Sequence, residues 1–73
     1  MTNPPSKHTL HARYGLSAAE AQIAIAISEG ADLQAIAAAR AASVQTVRSQ
    51  LKAIFRKTGA TSQARLVALI LRS

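Results

Sequence analysis

The apolar positions of this chain fall into four stretches, each opened by a small polar residue. Ser17-Ala-Ala-Glu20 has the form of a capping box, in which the hydroxyl accepts a free backbone amide and the carboxylate reaches back. The Ile23–Ile27 run that follows, IAIAI, alternates as a strand would, but alanine at every second position is a strong helix former and a poor strand residue. A helix is therefore predicted, with Ile23 and Ile27 on one face, Ile25 on another, and Gly30 as its left-handed stop. Asp32 caps a second helix, LQAIAAAR, which sets Leu33, Ile36, Ala37 and Arg40 on one side.

Only Ala41 and Ala42 separate that helix from the next cap, Ser43, and two helices joined so briefly must cross steeply. The third predicted helix spans Val44 to Thr58 and ends at Gly59. Its core stripe is Val47, Leu51, Ile54 and Phe55, at helical spacing. Ser62 caps a fourth, QARLVALILR, which carries two apolar stripes. Leu66, Leu69 and Ile70 are bulky and are expected inward. Ala64, Val67, Ala68 and Leu71 form a surplus stripe that predicts a contact with a second copy. Residues 1–12, with two prolines and no sustained period, read as a flexible linker or appended remnant, leaving residues 13–73 as the folded unit. The expected fold is all-α: a compact four-helix domain containing a helix-turn-helix.

Composition narrows the setting. At 73 residues without a cysteine, the chain must close its core with aliphatic side chains, and Tyr14 and Phe55 are expected to join it. No apolar run reaches a membrane span and no signal-peptide pattern opens the chain, so a cytoplasmic protein with no membrane partner is expected. His8 and His11 stand three apart with no third ligand nearby, and neither a metal nor a cofactor is expected. No nucleophile–base–acid set and no glycine-rich phosphate loop is present, and the three carboxylates do not pair across a plausible cleft; an enzyme is not expected.

Charge changes the picture more. The net charge is +6, and it is segregated: residues 17–32 hold all three acids and no base, while residues 33–73 hold seven bases and no acid. Such a half suggests a polyanionic partner. On the third predicted helix, Gln45, Arg48, Ser49, Lys52 and Arg56 fall on the side opposite the core stripe, as one ridge. A ridge rising from the second helix of a helix-turn-helix has the width that the B-DNA major groove admits. Single-stranded RNA recognition leans on stacking aromatics, which are nearly missing here. The competing reading is a protein-interaction or dimerisation module whose basic face meets an acidic partner.

These pieces together resemble the LuxR-type (GerE-like) helix-turn-helix effector domain of bacterial transcription regulators. The marks are LSAAE at 16–20, EG at 29–30, IA at 36–37, SVQTVRSQLKAIFRKTG from Ser43 to Gly59, and ARLVALIL at the end, so the resemblance covers roughly Gly15 to Arg72. It implies sequence-specific binding to double-stranded DNA with base contacts from Arg48, Ser49 and Lys52. It also implies phosphate contacts from Gln45, Thr46, Arg56 and Lys57, dimerisation through the last helix, and a sensory or receiver domain outside this chain. The residue chemistry points the same way for Arg48, whose planar fork suits guanine, and for Lys52. Arg56 and Lys57 lie further along, where the helix leaves the groove and phosphate is nearer.

Overall fold

In the computed structural model, which describes residues 6–72, each helix opens on a side-chain oxygen that accepts the backbone N–H three residues on. Ser6 opens α1 (Lys7–Tyr14), Ser17 opens α2 (Ala18–Ser28), Asp32 opens α3 (Leu33–Ala39), Ser43 opens α4 (Val44–Thr58) and Ser62 opens α5 (Gln63–Leu71). At Ser17 both halves of the capping box form: Glu20 N–H donates to Oγ at 3.1 Å, and Ser17 N–H donates to Glu20 Oε1 at 2.9 Å. No strand occurs among the described residues, and the all-helical class holds.

The helix count is corrected from four to five. Residues 7–12, read from the sequence as part of a linker, lie in α1, while residues 1–5 lie outside the described residues. The reason is tertiary. A helix of eight residues is too short to stand alone in water, and its charged and polar sequence gives it no apolar stripe. It is held by Leu10, fully buried in the core, by the half-buried Tyr14, by packing on α2, and by His11, whose Nδ1 lies 2.9 Å from the Leu16 carbonyl oxygen.

The core gathers around α2, which packs on α1, α4 and α5, while α3 packs on α4. Ala21 and Ala24 are fully buried beside Ile23 and Ile27, and their small side chains let neighbouring helices come close. Val47, Leu51 and Ile54 face inward from α4, and Leu66 and Ile70 from α5. Three expectations are corrected: Phe55, Tyr14 and Leu69 pack against the core but are only half-buried, so the centre is entirely aliphatic and alanine. Phe55 lies on the flank of α4 beside Leu33, the first residue of α3, where the two side chains border an open cleft and leave one side of the ring uncovered.

The two central turns share one motif with different residues. After α2, Gly30 N–H donates to Ile27 and Ala31 N–H to Ala26, with Gly30 left-handed at φ 92°. After α3, Ala41 N–H donates to Ala38 and Ala42 N–H to Ala37, the same double closure, but the left-handed position is an alanine at φ 53°. This turn sets the path from α3 into α4.

Candidate nucleic-acid interface

Helix α4 is the longest element, and at 1.5 Å per residue it runs about 22 Å, as long as the shorter dimensions of the molecule, 24 and 21 Å. With Val47, Leu51 and Ile54 turned inward, the side opposite is open along that whole length. Gln45, Arg48, Ser49, Lys52 and Arg56 are all exposed there, within about 100° of arc at 100° per residue. Among the described residues no carboxylate pairs with Arg48, Lys52 or Arg56, and none of the three side chains is hydrogen-bonded. Three cations thus stand unneutralised on one face, with two neutral hydrogen-bonding side chains beside them.

Two of the expected contact residues stand apart from this ridge. Thr46 is exposed, but it sits round the helix at the cap, where its Oγ1 lies 3.0 Å from Ser43 Oγ and its N–H donates to the same hydroxyl. Lys57 is turned further still: its Nζ donates to Glu20 Oε1 at 2.7 Å, tying the end of α4 to the start of α2. Glu20 is only 8 % exposed. The Lys57 hydrogen bond, helped by the Ser17 N–H, holds its carboxyl below the ordinary value against the opposing effect of burial.

Two features lay beyond sequence reading, and one of them adjoins the ridge. Arg48 and Lys52 form one wall of a cleft of ≈ 360 Å³ whose other lining residues are apolar: Leu33 from α3, and Leu51 and Phe55 from α4. Elsewhere, at the end of α3, Arg40 Nη1 donates to Gln22 Oε1 at 2.6 Å, linking the α3 C-cap to α2 across 18 residues of sequence. Helical spacing cannot reveal either, because both join side chains of different helices.

On α5 the outer stripe divides. Ala64, Ala68 and Leu71 are exposed, Leu71 by 50 %, whereas Val67 is half-buried against the core. No group of three His, Asp or Glu side chains positioned to hold a metal occurs among the described residues. No described helix is long and apolar enough to cross a membrane. No family model, curated protein or solved structure matches this chain.

Proposed function

We propose that this chain is a sequence-specific double-stranded DNA-binding domain of a cytoplasmic transcription regulator, of the LuxR helix-turn-helix type. In this reading α3, the turn at Ala41 and α4 form the helix-turn-helix, and α4 enters the major groove. The observation that carries it is the open ridge of Gln45, Arg48, Ser49, Lys52 and Arg56, in a chain with no acid after Asp32. Arg48 reads a guanine edge through its two-pronged fork, Lys52 and Ser49 contact neighbouring bases, and Gln45 and Arg56 hold phosphates on either side. Thr46 and Lys57 are better assigned to structure, because the cap occupies the first and Glu20 the second.

Pairing through the exposed Ala64, Ala68 and Leu71 of α5 would set two copies about a two-fold axis, with reading helices about one DNA turn, ~34–36 Å, apart. One short helix face buries little area, so the pairing belongs on DNA rather than in free solution. Selection of bound sequences from a random duplex pool tests the reading. A converged motif with two related half-sites is the expected result; a pool that never enriches would remove sequence-specific DNA recognition from the account.

A further inference from the structure

The cleft beside the ridge has a chemistry that DNA alone uses poorly. Leu33, Leu51 and Phe55 provide a largely apolar floor, and Arg48 and Lys52 stand over it. Those two cations are one helical turn apart, ~6 Å along the axis, and neither has an ionic partner among the described residues. A phosphate backbone satisfies the charges but offers no bulky apolar group for the floor. The occupant that matches both parts carries carboxylates one turn apart and a large apolar side chain beside them.

We propose that this cleft docks an acidic amphipathic helix of a protein partner, its apolar side chain seated on Leu33, Leu51 and Phe55 and its carboxylates paired to Arg48 and Lys52. Helix-in-groove recognition works in this way, with apolar anchors giving affinity and flanking charges fixing register. Under the DNA reading proposed above, on which this consequence rests, the partner occupies the same two cations as a duplex. It therefore acts as a competitor that displaces the domain from DNA.

The test uses the full chain and two fluorescently labelled synthetic peptides of about 15 residues, designed as helices of equal negative charge. One carries a Leu-Phe anchor between glutamates one turn apart; in the other, alanines replace the anchor. Anisotropy titration should show the anchored peptide binding at least ~10-fold more tightly, and displacing a bound duplex at matching concentrations. Leu33→Ala should remove most of that ~10-fold advantage while leaving the anchorless peptide and the duplex unchanged. As a second readout on the unsubstituted chain, nuclear magnetic resonance should show the Leu33 and Leu51 methyl signals moving with the anchored peptide only. Equal affinity for the two peptides, or methyl signals that stay in place, overturns the proposal. If the anchored peptide binds and no duplex does, docking stands and the DNA reading falls; if duplexes bind and the anchor adds nothing, the reverse holds.

Discussion

Ala41 adopts a left-handed backbone, φ 53°, in the turn that delivers the chain into α4. For an L-residue with a Cβ that conformation costs about 1–2 kcal/mol, and the equivalent place after α2 is a glycine. Ala41→Gly should therefore stabilise the domain by roughly 0.5–1 kcal/mol, after subtracting the greater freedom of glycine in the unfolded chain. Thermal denaturation should show a rise of a few degrees for a domain this size; an unchanged or lower midpoint would mean that the turn carries no strain. The pair Lys57–Glu20 makes a second residue-scale prediction. Because the folded state lowers the Glu20 carboxyl, the pair's stabilisation is complete above the ordinary glutamate value of ~4.3 and is lost as pH falls through the lower folded value. Lys57→Met should cost about 1 kcal/mol at neutral pH, the pair being only partly shielded from solvent, and the difference from wild type should shrink on acidification. A gap in melting temperature that does not narrow as the pH is lowered through the acidic range would place the stabilisation elsewhere. The capping box at Ser17 and Glu20 was legible from four consecutive residues; the Lys57 contact was not, since 37 positions separate the partners and a basic residue near a helix end has a local reading of its own.

Among the elements, α3 to α5 could be read from the chain because each combines a cap with an apolar face at helical spacing, and α2 because a complete capping box precedes an alanine-rich run whose alternation would otherwise suggest a strand. Helix α1 could not, since its one buried residue, Leu10, makes no period. The two stripes of α5 were visible as a pair, and bulk chose correctly between Leu66 and Ala68. It misjudged the borders, because Val67 and Leu69 lie between core and solvent and share in both. The role of α5 can be separated from its packing. Ala68→Asp adds a charge to an exposed position and should leave the melting temperature within a few degrees of wild type while abolishing cooperative binding to a duplex with two half-sites. Leu66→Asp buries an unpaired carboxylate in the core and should unfold the domain, at a cost above ~3 kcal/mol. Circular dichroism together with gel-shift titration separates the two effects. Cooperative binding that survives Ala68→Asp would remove α5 from the pairing surface.

At the scale of the whole molecule, an aliphatic core leaves the cations of residues 33–73 at or near the surface, and of the three acids, all in residues 17–32, only Glu20 pairs with one of them among the described residues. The basic ridge was legible because it lies on a single helix with a clean period. The cleft beside it was not, because Leu33 reaches it from another helix and Phe55 stands half-buried outside the core. The central claim is that the α4 ridge, through Arg48, Lys52 and Arg56, is a DNA-binding surface with separate reading and anchoring parts. Its most direct measurement is equilibrium affinity against salt concentration, for wild type, Arg48→Ala and Arg56→Ala, on the selected duplex and a scrambled one. If each domain neutralises about three to five phosphates, log K should fall against log salt with a slope of roughly −3 to −5 per domain. Arg56→Ala should weaken both duplexes alike and make the slope shallower by about one, while Arg48→Ala should cost ~1–3 kcal/mol on the selected duplex and relax the preference for it. A flat salt response, or two variants with the same profile on both duplexes, would contradict the claim.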